Sequence, residues 1–228
     1  MKTGKHWAQV LEYAESIRSG KKIACEELRQ AVNRFFDDLD NPDYELTHKD
    51  PEFCIQVIEK TICHQQGEKM DGTPLRGKPF LLEPFHKFII YNLVGFKLAG
   101  TNILRFHEAL IYIPRKNIKT SFAAALSWAL SLLFRRSGSK MYIASAALMQ
   151  SLESFNFLTY NIKRMKEDSN SGGAIRIIDN NNEHSLSADL GDGSFYIRAL
   201  AANPDSQDSL NCNIAICDEI HAFTKPKQ

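Results

Sequence analysis

The sequence predicts an α/β domain, a parallel sheet flanked by helices, preceded by an N-terminal helical region. Three observations lead there. Up to about residue 105 apolar residues recur at helical spacing; from Glu108 short apolar runs alternate with longer amphipathic ones; and the last short run ends in two adjacent carboxylates, Asp218 and Glu219. The expected organisation is therefore a helical region over 1–105 and a sheet-bearing core over 106–228.

The elements follow in order. Trp7, Val10, Leu11, Ala14 and Ile17 form one helical stripe, with Gly20 as its stop signal. Leu28, Ala31, Val32, Phe35, Phe36 and Leu39 form a second, ended by Asn41-Pro42, and Cys54, Ile55, Ile58 and Ile62 a third. Residues 67–79, punctuated by Gly67, Gly72, Pro74, Gly77 and Pro79, read as a loop. A fourth helix starts at Pro84 and carries Phe85, Phe88, Ile89, Leu93 and Phe96. Such stripes are read as core. Residues 109–113 then read as a short apolar strand, followed by a polar turn and a helix over 121–134. A strand over 141–144 precedes a helix running to about Lys166. The stretches 174–178 and 195–200 alternate like the arms of a hairpin around Asn180-Asn181-Asn182, and 214–217 reads as a buried strand. Strands alternating with helices imply a parallel sheet.

Composition narrows the function classes. Lys and Arg total 28 against 27 Asp and Glu, so no overall field holds nucleic acid, and DNA contact requires a local patch or a partner domain. The five cysteines lack C-x-x-C pairing and read as reduced thiols of a cytosolic protein rather than disulfides or a zinc site. The N-terminus has no apolar signal core, and the longest apolar stretch, 121–134, is broken by Ser127 and Ser131 and too short to span a bilayer.

The chemistry concentrates in two places. Ile113-Pro114-Arg115-Lys116-Asn117-Ile118-Lys119-Thr120-Ser121 lies between a predicted strand and a predicted helix. A P-loop needs that placement: backbone N–H groups and the helix N-terminus face the phosphates, a Lys reaches the β- and γ-phosphates, and the next hydroxyl ligates magnesium. Against G-x-x-x-x-G-K-[ST], Lys119-Thr120 match, while Ile113 and Ile118 stand in the glycine places. A Lys-Thr pair at a helix start is by itself usually only a helix start. The second place is Asn213-Ile-Ala-Ile-Cys-Asp218-Glu219, an apolar strand ending in two acids, laid out like a Walker B element. There Asp218 would hold magnesium and Glu219 activate water, whereas acids at strand ends also often cap the next helix. On a regular strand their side chains would point to opposite faces, which gives them different roles. Both motifs in this order indicate a P-loop NTPase of the recA/ASCE kind. Ile118 needs positive φ to do what glycine does, so the loop is either strained by about 1–3 kcal/mol or shaped differently when empty.

These motifs resemble those of phage terminase large subunits, the ATPases of DNA-packaging motors. Arg115-Lys-Asn-Ile-Lys-Thr120 and Asp218-Glu-Ile-His-Ala-Phe223 are similar to the family's R-K-N-G-K-[ST] and D-E-x-H-A-[FW]. Leu81-Leu-Glu-Pro-Phe-His86 resembles the segment that contacts adenine in that family, with His86 in place of the usual Gln. Tyr13-Ala-Glu-x-Ile-x-x-Gly20 and Asp37-Asp-Leu39 fit one branch. The resemblance implies ATP and Mg2+ as ligands. Lys119 would hold the β- and γ-phosphates, Thr120 and Asp218 the magnesium, and Glu219 would be the catalytic carboxylate. Arg115 would sense the γ-phosphate, with Pro114, Lys116, Asn117, Ile118 and Ser121 completing the loop. Phe85 and His86 would contact the base, Gln150 would lie near the nucleotide, and His221 would have a packing or coupling role. Arg198 is the candidate for an arginine supplied to a neighbouring subunit, with Arg135 and Arg136 read as a solvated helix end. The implied partners are double-stranded DNA, a small terminase subunit, a portal protein and further copies in a ring, in the host cytoplasm and without a membrane. The family's coupling motif, remaining strands and nuclease domain would fall beyond residue 228, so no nuclease is expected in this chain. Two other readings stay open: a helicase-like ATPase, since Asp218-Glu-Ile-His221 also resembles a DExH box, and a non-catalytic fragment that only binds nucleotide.

Overall fold

The computed structural model describes residues 4–114, 117–168, 174–201 and 210–223. They fall into two compact units, and the units interleave along the chain: Met1–Glu59 with Leu81–Tyr112, and Lys60–Phe80 with Ile113–Gln228. The stretch 60–80 thus groups with the unit that carries the larger sheet.

In the first unit, α1 (Trp7–Arg18) buries Val10, Ala14 and Ile17, a spacing that places all three on one helical face. Helix α2 (Glu26–Asp40) contributes Val32 and Phe35, and α3 (Lys49–Thr61) contributes Cys54, Ile55 and Ile58. Helix α4 (Pro84–Gly95) starts on a proline, whose fixed φ suits a first helical turn and whose missing N–H is not needed there. Phe35 is the hub, with the rings of Trp7, Phe36, Phe88 and Phe96 at centroid distances between 5.2 and 5.9 Å. Phe96 does not continue α4. It opens β2 (Phe96–Leu98), which pairs antiparallel with β1 (Tyr44–Leu46). Three-residue strands are too short to carry a readable period, so both were invisible in the sequence.

Several polar groups buried in this unit are tied to one another. Glu52, 8% exposed, accepts hydrogen bonds from the His6 backbone N–H at 2.7 Å and the Tyr91 hydroxyl at 2.8 Å, and faces the His6 ring nitrogen Nδ1 at 2.8 Å. Lys87 lies 3.3 Å from Glu59, and Arg105 pairs with Asp38 while stacking 3.9 Å from the centre of the Tyr44 ring.

In the second unit the sheet comprises β3 (Ser139–Ser145), β4 (Arg176–Asp179), β5 (His184–Asp189), β6 (Ser194–Ala201) and β7 (Ile214–Cys217), in the order β4-β5-β6-β3-β7. Strand β3 runs parallel to β6 and β7, but β4, β5 and β6 pair antiparallel, so the expected parallel sheet is a mixed one. The expected hairpin between 174–178 and 195–200 is two successive hairpins, because β5 lies between those arms. Its Ser, Ala and His residues carry little strand propensity, and it is pairing on both sides that makes it a strand. The expected strand over 109–113 is not formed: these residues join no ladder, and Leu110 and Tyr112 are 77% and 93% exposed. An apolar run becomes a strand only where a neighbour offers its backbone, and no described strand pairs with these residues.

Helices α5 (Lys119–Leu133) and α6 (Leu148–Asp168) cover the same face of this sheet. Trp128 of α5 meets Phe195 edge-on at 5.5 Å, and Phe155 of α6 meets His184 at 5.7 Å. Ala124, Ala125 and Ala129, all fully buried, let α5 approach closely. The 60–80 excursion is a bent hairpin bound to α6. The Asn161 side chain brackets Cys63, accepting from its N–H at 2.7 Å and donating to its carbonyl at 3.2 Å, and Arg164 donates to the Gly77 carbonyl at 2.8 Å.

Candidate functional site

Parallel strands deliver their C-terminal ends to one edge of a sheet. The register pairs Ala144 of β3 with Cys217 of β7 and Ser145 with Ala201 of β6, so the chain leaves all three strands at the same edge. From there Asp218 extends the ladder by one bond, its N–H donating to the Ala144 carbonyl at 2.9 Å. Glu219 then turns into left-handed geometry, with φ 55° and ψ 46°.

Helix α5 begins at the same place. Its N-cap is Ile118, also left-handed with φ 59° and ψ 22°, and the first helical residues are Lys119, Thr120 and Ser121. The first N–H groups of a helix have no partner within it, which makes this end receptive to an anion. Among the described residues, Ile118 and Glu219 are the only ones other than glycine with positive φ. For a β-branched or long side chain that geometry costs energy, and such outliers persist where the surroundings impose them.

Four side chains converge although the sequence separates them by about a hundred positions. The Lys119 ammonium lies 2.5 Å from Glu219 Oε1 and 3.3 Å from Asp218 Oδ1. The Thr120 hydroxyl donates to Asp218 Oδ2 at 3.2 Å. Asp218 is nearly buried, while the Lys119 and Glu219 side chains are 30% and 31% exposed. The other Glu219 oxygen, Oε2, lies 3.2 Å from the exposed His221 ring. The Glu219 carboxylate beside it raises the Lys119 pKa; partial burial opposes this and Asp218 adds to it. The two acids were expected on opposite faces of their strand. The left-handed turn at Glu219 breaks the alternation, and both carboxylates reach the same ammonium group.

The remaining predicted residues are placed as follows. Asn117 donates from its side chain to the Pro114 carbonyl at 3.2 Å, closing the end of the loop before α5. Arg115 and Lys116 lie outside the described residues. Gln150 sits in the first turn of α6, at the sheet edge where β3 ends, and its side-chain oxygen accepts from the Ala147 N–H at 3.4 Å. Phe85 and His86 belong to the first unit, with ring centroids 3.8 Å apart. His86 is buried, its Nδ1 accepts from the Glu83 N–H at 3.2 Å, and burial lowers its pKa to about 4. Arg198 lies mid-strand in β6, opposite Tyr142 and Ser185. Its charge helps lower the Glu183 pKa, an effect led by the Ser185 and Tyr196 hydroxyls. Arg135, read as a solvated helix end, forms a two-pronged ion pair with Asp192, at 2.9 and 2.6 Å. The His221–Glu219 contact escaped the sequence reading, and the spacing of two along the chain was the available signal.

The second unit is thus an α/β domain of mixed sheet and helices, with a cluster of one cation, two carboxylates and a hydroxyl where a helix begins and a strand ends. A family model described as the terminase large subunit, ATPase domain, matches residues 84–228, and the chain belongs to that family, whose members are ATPases of DNA-packaging motors. No curated protein and no solved structure matches the chain. Among the described residues, no helix is long and apolar enough to cross a membrane.

Proposed function

We infer that residues 114–121 form a P-loop, that β7 with Asp218 and Glu219 is the Walker B element, and that the site hydrolyses ATP to drive double-stranded DNA into a procapsid. The observation that carries this reading is the meeting of Lys119 with Glu219, and of Thr120 with Asp218, at the open N-terminus of α5.

The donor set fits Mg2+. A hydroxyl and a carboxylate oxygen 3.2 Å apart are hard ligands suited to an ion that takes one or two protein groups and completes its shell with water and phosphate. Magnesium bound there supplies positive charge to the β- and γ-phosphate oxygens. Lys119 neutralises the same phosphates, and the first N–H groups of α5 cradle them. Glu219 orients a water molecule in line with the γ-phosphorus and takes its proton as the new P–O bond forms. The bond from the γ-phosphorus to the bridging oxygen breaks, its electron pair stays on that oxygen, and ADP and phosphate result. Arg115 and a neighbour's arginine, for which Arg198 is the candidate, would stabilise the charge that develops. Gln150 would lie near the nucleotide. A ring of copies, a portal, a small terminase subunit and the host cytoplasm complete this reading.

Titration calorimetry with Mg-ATP, together with turnover in an assembled motor, tests it. Lys119→Ala is expected to abolish measurable binding. Glu219→Gln is expected to bind yet lose about 10²–10⁴ in turnover, the usual cost of removing a catalytic base. Unchanged affinity in the first variant would remove the P-loop, and normal turnover in the second would reassign Glu219.

A further inference from the structure

We propose that Lys119 and Glu219 form a self-blocking latch in the nucleotide-free protein: the lysine that receives phosphate is held by the carboxylate that activates water, so each is unavailable until nucleotide separates them. The inference rests on the ATP site proposed above and adds how that site is kept silent when empty.

Three observations converge. Lys119 Nζ lies 2.5 Å from Glu219 Oε1 and 3.3 Å from Asp218 Oδ1, so two of its three donor directions are already committed to acids. An ammonium so held does not point freely at an incoming phosphate, and a carboxylate so neutralised is a weaker base. Next, the pair sits at the two places where the described backbone departs from ordinary geometry. Ile118, immediately before Lys119, and Glu219 itself are its non-glycine residues at positive φ. The last observation is that Glu219 has a second partner ready: His221 Nδ1 is 3.2 Å from Oε2, on the side away from the lysine contact.

An exchange follows from this geometry. An arriving triphosphate carries more negative charge than one carboxylate and approaches along the open end of α5, so the Lys119 ammonium transfers from carboxylate to phosphate. Glu219 then loses its strongest partner, keeps the His221 contact that limits where it can swing, and becomes free to accept a proton from water. The lysine is thus both phosphate ligand and inhibitor of the base, and binding of substrate is the event that arms the site. A partly exposed ion pair is worth at most about 1 kcal/mol, so the latch lowers nucleotide affinity by roughly fivefold or less without preventing binding.

The test uses the full chain in nucleotide-free form, with ADP and no added magnesium as the binding probe. ADP has no γ-phosphate beside Glu219, so simple charge repulsion between the two contributes little. Wild type and Glu219→Gln are compared by titration, and the reactivity of Lys119 toward an acylating reagent is followed by peptide mass spectrometry. The latch predicts that Glu219→Gln binds ADP about two- to fivefold more tightly and that its Lys119 is acylated faster, while added ADP protects Lys119 in both proteins. Equal affinity with equal acylation of Lys119 in the empty proteins, while both bind ADP, overturns the latch alone. Absence of ADP binding and of protection in both proteins overturns the ATP-site reading and the latch with it. Circular dichroism of the variant confirms its fold, and Glu219→Ala, which removes the carboxylate altogether, must reproduce both changes or the latch is rejected.

Discussion

The two units use ion pairs in opposite ways. In the first, Glu52 is nearly buried and accepts from two groups while facing the His6 ring, and the Asp38–Arg105 pair is sealed by the Tyr44 ring. In the second, the Lys119–Glu219 pair is about one-third exposed, is flanked by left-handed backbone at Ile118 and Glu219, and holds two groups that the proposed chemistry would require apart. A buried charge with several partners cannot change them without a large penalty, whereas a partly exposed pair can be exchanged for a stronger ligand. The first arrangement maintains a shape. The second keeps a site ready to change.

The contrast can be broken by stability measurements. Glu52→Ala strands the Tyr91 hydroxyl and the His6 N–H in a buried place and is expected to cost about 3 kcal/mol in urea unfolding. Lys119→Ala should cost less than about 1 kcal/mol by the same measurement. If the lysine variant were destabilised as much as the glutamate variant, the Lys119–Glu219 pair would be a structural one.

An acid titration sharpens the first half of the contrast. His86 has its pKa lowered from 6.5 to about 4 because burial disfavours the imidazolium. The unfolded chain therefore binds a proton more readily than the native one. The contribution of His86 to stability is complete above pH 6.5 and is lost as the pH falls toward about 4. His86→Gln keeps an acceptor for the Glu83 N–H without titrating, so its thermal midpoint should fall less between pH 7 and 4.5 than that of the wild type. Parallel curves for the two proteins would assign the acid sensitivity to other groups.

The smallest effect is expected at Ile118. Ile118 has the left-handed geometry that the glycine of a P-loop supplies, so its strain is expected to be much the same with and without nucleotide. Ile118→Gly relieves it but frees the unfolded chain, so stability should rise by no more than about 1 kcal/mol. Affinity for ATP should change by less than about threefold. A tenfold gain in affinity would mean instead that the loop changes shape when nucleotide enters.

Much of this was legible in the linear chain. The helices of the first unit are visible in their apolar spacing, because burial of one face imposes a period on the residues themselves. Lys119-Thr120 and Asp218-Glu219 stand out because the proposed phosphate, metal and water chemistry would require those groups in that order. What stayed hidden depends on partners. Strand β5 exists because β4 and β6 flank it, and residues 109–113 are not a strand because no described neighbour pairs with them, though their pattern is the more strand-like of the two. The joining of Lys119 to Glu219 was also beyond the sequence. Alternation along a strand places Asp218 and Glu219 on opposite faces, and only the left-handed turn at Glu219 brings both carboxylates to one ammonium. Residue types and local periods follow from chemistry carried by each side chain, so the sequence determines them. Pairing, register and a single reversed dihedral are energies shared between distant parts of the chain, and the tertiary structure decides those.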